Sequence, residues 1–71
     1  MDMRKLVGGN VRRAREAAKL TQEQLAELCG HSQQYISDLE RGRRNPTVVS
    51  LFEFAQALKT TPAQLLSPVD D

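Results

Sequence analysis

The stretch LTQEQLAELCGHSQQYISDLERG, residues 20–42, decides the fold of this chain. It holds two short runs with apolar residues at helical spacing, and a Cys-Gly-His segment separates them. Gly30 can adopt the positive φ of a sharp turn, and Ala26 is small enough to let a second helix cross the first closely. Ile36 and Leu39 form the inner stripe of that second helix. The stretch therefore predicts two helices that cross at a tight turn.

Helix signals continue on both sides, and no segment alternates apolar and polar residues as a half-buried strand would. Four helices each follow a Ser or Thr that can cap them, and Gln stands three residues after two of these caps, as a capping box requires. The caps are Thr21, Ser32, Thr47 and Thr61, the first and last with the Gln. Gly8 and Gly9 weaken the first helix, which we expect to fray or to start late. The prediction is an all-α chain with helices over about 3–19, 21–29, 32–41, 47–59 and 62–66 and a tail over 67–71.

Helical wheels predict which side chains are buried. The predicted core faces are Met3, Val7, Val11, Ala14 and Ala18; Leu25, Ala26, Leu28 and Cys29; and Val48, Leu51, Phe52, Phe54, Ala55 and Leu58. The last of these stripes is wider than one core-facing side requires. We therefore expect a subunit interface at Phe52, Leu65 and Leu66, although core burial explains Leu65 nearly as well.

Length and composition exclude several classes of protein. Seventy-one residues, 39% of them hydrophobic, predict a single domain over 1–71, and so small a core favours dimerisation. The single cysteine, Cys29, excludes an internal disulfide, and with His31 it supplies too few ligands for zinc. No apolar run is long enough to span a membrane or to form a signal peptide. We expect a cytoplasmic protein without metal or cofactor.

The net charge of +1 conceals an uneven distribution. Residues 1–19 carry an excess of four positive charges, residues 20–40 an excess of four negative charges, and residues 41–44 add three arginines. Nucleic-acid-binding domains usually show a basic excess. The near-neutral total argues against such a role, whereas the two basic clusters favour it.

The chain resembles the phage-repressor and Cro-like helix-turn-helix domains, also called the xenobiotic-response-element type, over residues 7–66. The matching stretches are Val11–Arg15, Leu20–Ala26, Tyr35–Gly42, Asn45–Thr47 and Leu51–Leu58. Departures are Ala14 in place of the family's usual Leu, a glycine pair at 8–9 in place of one Gly, and Val49 in place of a polar residue. They affect packing rather than the DNA-binding face. The resemblance implies a compact five-helix, lambda-repressor-like fold.

The outer face of the 32–41 helix is polar but carries little charge. It presents Gln33, Gln34, Ser37 and Asp38. Paired glutamines can offer a donor and an acceptor to adenine, and an aspartate can accept from cytosine. The residues alone fit a solvated face equally well, but the resemblance implies base contacts at Gln33 and Gln34, and in many members of the family at the positions of Ser37 and Asp38 as well.

The resemblance also implies contacts to the DNA backbone, which helix N-termini and basic loops commonly make. These fall on Gln22 and Ser32 at helix starts and on the loop residues Arg41, Arg43, Arg44 and Asn45. Tyr35 fits core packing better, with its hydroxyl able to reach a phosphate. Arg12 and Arg13 fit either a phosphate track or a solvated face.

Arg15 and Glu40 each lie about 40° from a core residue on their wheels, so both border the buried stripes. The resemblance implies a partly buried bidentate pair between them, tying the first helix to the third. The alternative is two unpaired surface charges.

Nothing in the sequence indicates an enzyme, since the lone histidine has no nucleophile or carboxylate at a diagnostic spacing. We expect a transcriptional regulator that binds double-stranded DNA as a homodimer on a palindromic site. The family includes phage repressors, restriction-modification controllers and antitoxins, and the sequence does not separate them, so a protein partner such as a toxin stays open. The alternative is a protein-interaction module whose polar helix face is merely solvated.

Overall fold

The computed structural model describes residues 1–68, which form five helices. They are α1 (Met3–Ala17), α2 (Gln22–Cys29), α3 (Gln33–Glu40), α4 (Val48–Ala57) and α5 (Pro62–Leu66). No strand occurs in this part of the chain, and the all-α, five-helix prediction is confirmed. Of the predicted tail, Ser67 and Pro68 lie outside helices, and residues 69–71 lie outside the described residues. No helix within residues 1–68 is long and apolar enough to cross a membrane.

The four predicted caps are present, and Asp2 is a fifth that the sequence analysis missed. Asp2 accepts from two first-turn N–H groups, so α1 begins at Met3 and the expected late start is wrong. Thr21 and Gln24 form a complete capping box. The box predicted at Thr61 is only half formed, because the Gln64 side chain accepts from the hydroxyl of Thr60 instead of the Thr61 N–H.

The first four helices end where the backbone turns left-handed. Gly30 (φ 70°) and Gly42 (φ 78°) follow α2 and α3, as predicted. After α1 and α4 the same conformation is adopted by Lys19 (φ 59°) and Lys59 (φ 56°). The predicted ends at 19 and 59 are therefore two residues too late, because lysine gives none of the stop signal that glycine gives.

One core joins all five helices, and α1 packs on both α3 and α5. The core residues are Val7, Val11, Leu25, Ala26, Ile36, Leu39, Leu51, Phe54, Ala55, Leu58 and Leu65. Core positions predicted wrongly are Met3, Ala18, Leu28, Val48 and Phe52, which are all exposed. Most of them lie at or beside helix ends. A helical wheel assigns such residues to the buried face, although the neighbouring helix no longer covers them there.

A buried polar residue that the sequence analysis missed joins α1 to α5. The Asn10 amide donates to the carbonyls of Leu65 and Ser67 at 2.8 Å each, and its oxygen accepts from Arg13. Leu65 is only 2% exposed. Its prediction as an interface residue is wrong, because this docking turns its side chain into the core.

Gly8 sits where α1 comes closest to the end of α3. A Cβ built there would lie 2.2 Å from the carbonyl oxygen of Leu39 and 3.0 Å from that of Glu40. Neither oxygen can swing away as a flexible side chain would. Gly8 is therefore required by helix packing, whereas a Cβ on Gly9 meets only the side chain of Arg13, at 3.4 Å.

We expect Gly8→Ala to destabilise the fold by about 1 to 3 kcal/mol, the usual range for overpacking. Gly9→Ala is the matched control and should be neutral or stabilising by up to about 1 kcal/mol, since alanine favours a helix interior. Thermal unfolding followed by circular dichroism measures both changes. Equal or higher midpoints for both variants would contradict the close approach of α1 to α3.

Candidate nucleic-acid interface

The turn between α2 and α3 brings the two helices into a tight crossing. Gly30 reverses the chain, and the Ser32 hydroxyl accepts from the N–H of Tyr35 at 3.0 Å to start α3. Ile36 and Leu39 are fully buried against the other helices. With its inner face fixed in this way, α3 presents its polar face outward.

The four candidate base-contact residues share that outer face. Gln33 and Gln34 are exposed at the first turn, and Ser37 and Asp38 are partly buried further along. Gln34 donates to the Asp38 carboxylate at 3.0 Å. Arg44 Nη2 lies 3.7 Å from the other oxygen of the same carboxylate. The surface is a polar ridge in which Asp38 already has two partners.

The loop after α3 places its basic side chains next to this ridge. Arg41, Arg43, Arg44 and Asn45 are all exposed. The Arg44 guanidinium lies over the Tyr35 ring, 5.3 Å from its centroid, in a cation–π contact. The loop therefore presents a positive edge beside α3.

Tyr35, which lies under Arg44, is held in place by an aromatic stack that was not predicted from the sequence. Its ring stacks on His31 with centroids 4.4 Å apart, and His31 in turn lies 5.4 Å from the buried Phe54. Burial raises the pKa of the Tyr35 hydroxyl, with the charge of Arg44 acting in the opposite sense. At neutral pH the hydroxyl keeps its proton, as an ordinary tyrosine does, and can donate a hydrogen bond.

An ion pair between Arg15 and Glu40 ties the ends of α1 and α3 together. Arg15 Nε lies 2.6 Å from Glu40 Oε2 and its Nη2 lies 3.0 Å from Oε1, and the two side chains are 12% and 3% exposed. The hydrogen bond to Glu40 raises the pKa of Arg15 above its ordinary value. The geometry is the bidentate one that makes such pairs strong.

Two further contacts extend this pair to α2. Arg15 Nη1 donates to the Leu20 carbonyl at 2.8 Å, and Gln22 Nε2 donates to Glu40 Oε1 at 3.1 Å. The Gln22 side chain, a predicted phosphate contact, is thus held from within the protein. The four groups form a clamp of Arg15, Glu40, Gln22 and the Leu20 carbonyl that sets α2 and α3 relative to α1.

No group of three or more His, Cys, Asp or Glu side chains that could hold a metal occurs within residues 1–68. Cys29 is partly buried, and burial raises the pKa of its thiol. Its environment is therefore the reverse of one that activates a nucleophilic thiolate.

Comparison with known proteins places this geometry in a family. The helix-turn-helix family model matches residues 11–65. The HTH-type transcriptional regulator y4dJ of Sinorhizobium fredii is 56% identical over 71 residues, which covers all of this chain and 92% of that protein. The control protein C.SmaI of Serratia marcescens is 42% identical over 67 residues, covering 94% of this chain and 80% of that protein.

Among solved structures, the restriction-modification controller protein C.AhdI from Aeromonas hydrophila superposes with a TM-score of 0.83 at 37% identity, covering 87% of this chain and 94% of that one. The chain belongs to the helix-turn-helix family. These relatives confirm the prediction of a helix-turn-helix transcriptional regulator.

The clamp yields a stability prediction. Glu40→Ala leaves the partly buried Arg15 guanidinium with only the Leu20 carbonyl as a partner, and we expect a loss of about 3 kcal/mol, the lower end of the range for a buried pair. In a domain of this size such a loss lowers the unfolding midpoint by more than about 10 °C. Glu40→Gln, which keeps one acceptor but no charge, should lie between this variant and wild type.

The exposed pair Arg12–Glu16, with 3.6 Å between its charged atoms, is the matched control. Glu16→Ala removes the same charge and should change stability by no more than about 0.5 kcal/mol. If Glu40→Ala and Glu16→Ala shifted the midpoint equally, the clamp would have no special role.

Proposed function

We propose that this protein regulates transcription by inserting α3 into the major groove of DNA and reading base edges there. The observation that carries the proposal is the exposure of Gln33 and Gln34 on the polar ridge of a helix whose inner face is fully buried. Each glutamine amide has a donor and an acceptor, the pair that adenine presents in the major groove. Ser37 lies on the same face, and Asp38 borders it.

The backbone contacts follow from the groups that flank the ridge. Arg41, Arg43 and Arg44 supply positive charge, and Asn45 supplies an amide, along one edge. A second group of candidate donors is at the start of α2, where the N–H groups of Gln22 and Glu23 precede the one that Thr21 caps and lie at the positive end of the helix dipole. The hydroxyls of Ser32, which caps α3, and of Tyr35, whose ring lies under Arg44, are further candidate donors. Phosphates on both sides of a major groove would meet these donors.

The rival function is a protein-interaction module in which the ridge is merely solvated, for example one that binds a toxin. The position of the positive charge favours DNA, because three arginines border the ridge while Glu23 and Glu27 lie on α2. The proposal implies a cytoplasmic, non-catalytic protein that needs no cofactor.

We further propose that the protein acts as a homodimer through α4 and α5. Phe52 is 51% exposed and Leu66 43% exposed, although both are large and apolar. Val48 and Val49 are exposed next to Phe52 on the same side of the α4 wheel. An apolar surface of this kind marks an interaction site, and two half-sites compensate for the small area that one module buries on DNA.

Selection from a random duplex library tests DNA reading directly. We expect the protein to enrich a palindromic motif. Gln33→Ala should then relax the preference at one position of each half-site, at a cost of about 1 to 3 kcal/mol. Arg43→Gln should weaken all sequences alike and lower the slope of log affinity against log salt by about one per subunit.

Lys59→Gln is the matched control for Arg43→Gln, because Lys59 follows the end of α4 that is remote from the arginine loop. It should leave both affinity and salt slope near their wild-type values. Failure of the wild-type protein to enrich any motif would favour the interaction module and overturn the proposal.

Sedimentation tests the dimer. Phe52→Glu should convert the protein to a monomer, since it places a charge within the apolar contact. Leu28→Glu, at an exposed leucine on α2, should leave self-association unchanged. A wild-type protein that sediments as a monomer at high micromolar concentration, with and without its DNA site, would refute the dimer.

A further inference from the structure

We propose that Asp38 is a positioning residue rather than a base-reading one: its carboxylate orients Gln34 for base contact and holds Arg44 for phosphate contact. The inference rests on the proposed function and deepens it. It replaces the prediction from the resemblance that Asp38 contacts a base. The argument starts from the two partners that Asp38 has before any DNA is bound.

The first partner is Gln34. Its Nε2 donates one hydrogen to Asp38 Oδ1 at 3.0 Å, one helical turn along α3. An exposed glutamine amide otherwise rotates freely, and can present its donor and acceptor in either order. The bond fixes the nitrogen towards Asp38 and leaves the Gln34 oxygen and the second N–H for the groove. A fixed order of donor and acceptor is what distinguishes one base edge from another.

The second partner is Arg44. Its Nη2 lies 3.7 Å from Asp38 Oδ2, while its guanidinium covers the Tyr35 ring. The guanidinium is thus held from two sides at the edge of the ridge. Half of the Arg44 side chain stays exposed, whereas Asp38 is 17% exposed. Arg44 therefore retains donors for a phosphate, and the carboxylate has little exposed surface left for a base.

Charge explains why this acid has a role other than helix stability. Asp38 lies in the last turn of α3, where the helix dipole disfavours a carboxylate. It would also face the phosphates of bound DNA. The guanidinium of Arg44 offsets both effects. A lone carboxylate on this surface would repel DNA, and a carboxylate bonded to Gln34 and Arg44 instead organises the side chains that bind it.

The test compares Asp38→Ala with the conservative Asp38→Asn on the selected duplex, on duplexes altered at each base pair, and on a random-sequence duplex. The pair at which Gln34→Ala loses its preference identifies the base that Gln34 reads. At that pair we expect Asp38→Ala to lose about tenfold in discrimination. Asp38→Asn keeps an oxygen acceptor for Gln34 and should retain most of that discrimination.

On the random-sequence duplex, Asp38→Ala should lower the slope of log affinity against log salt by about one per subunit, because Arg44 is no longer held for its phosphate contact. Glu27→Ala removes the same charge from an exposed position on α2 and should leave the discrimination unchanged. In a Gln34→Ala background, Asp38→Ala should have no further effect at the Gln34 pair, since the two act as one unit.

Three results would overturn the inference. Loss of preference at a different base pair, with the Gln34 pair intact, would show that Asp38 reads a base itself. A lower unfolding midpoint with unchanged discrimination would show a purely structural role. Absence of any preferred sequence for the wild-type protein would overturn the proposed function, a result distinct from the other two.

Discussion

The ion pair between Arg15 and Glu40 is the contact on which the rest of the structure depends. Glu40 is the last residue of α3. Its carboxylate accepts hydrogen bonds from the Arg15 guanidinium on α1 and from the Gln22 amide on α2. Arg15 also binds the Leu20 carbonyl just before α2. One buried pair thus sets the orientation of three helices. The proposed reading face of α3 keeps its place only in that orientation, so the pair links packing to the proposed function.

The way the charges are distributed makes a net charge near zero compatible with a protein of this class. Two of the acidic groups, Glu40 and Asp38, are bound by arginines, and Glu23 and Glu27 lie exposed on α2. The arginines of the 41–44 segment remain beside the ridge. With so little excess charge, we expect general attraction to DNA to be modest. The proposed specificity then depends on the few side chains of α3 and on the spacing of the two half-sites that the proposed dimer would bind.

The features that were predictable from sequence are those with local chemistry. Thr21 and Ser32 indicate helix starts because their hydroxyls accept from N–H groups of the first turn. Gly30 and Gly42 indicate helix ends because glycine adopts positive φ readily. The ridge of glutamines follows from the period of α3.

The features that could not be predicted depend on contacts between distant segments. From the sequence alone, Gly8 is a residue that weakens a helix. Its packing role depends on the Leu39 carbonyl, which lies against it only in the folded chain. Asn10 and Leu65 reveal their roles only once α5 docks on α1. Of the two partners of Asp38, Gln34 lies four residues earlier on the same helix, a spacing that the period of α3 does predict. Arg44 depends on the path of the loop after α3, which no periodicity encodes.

The most direct measurement of the central claim is nuclear magnetic resonance of the labelled protein titrated with its selected duplex. The account predicts that the largest shifts occur in the side-chain amides of Gln33 and Gln34 and in the arginine signals of the 41–44 loop, with little change at Glu27 and Leu28 on the outer side of α2. Shifts confined to α2, with the glutamine amides of α3 unmoved, would contradict it.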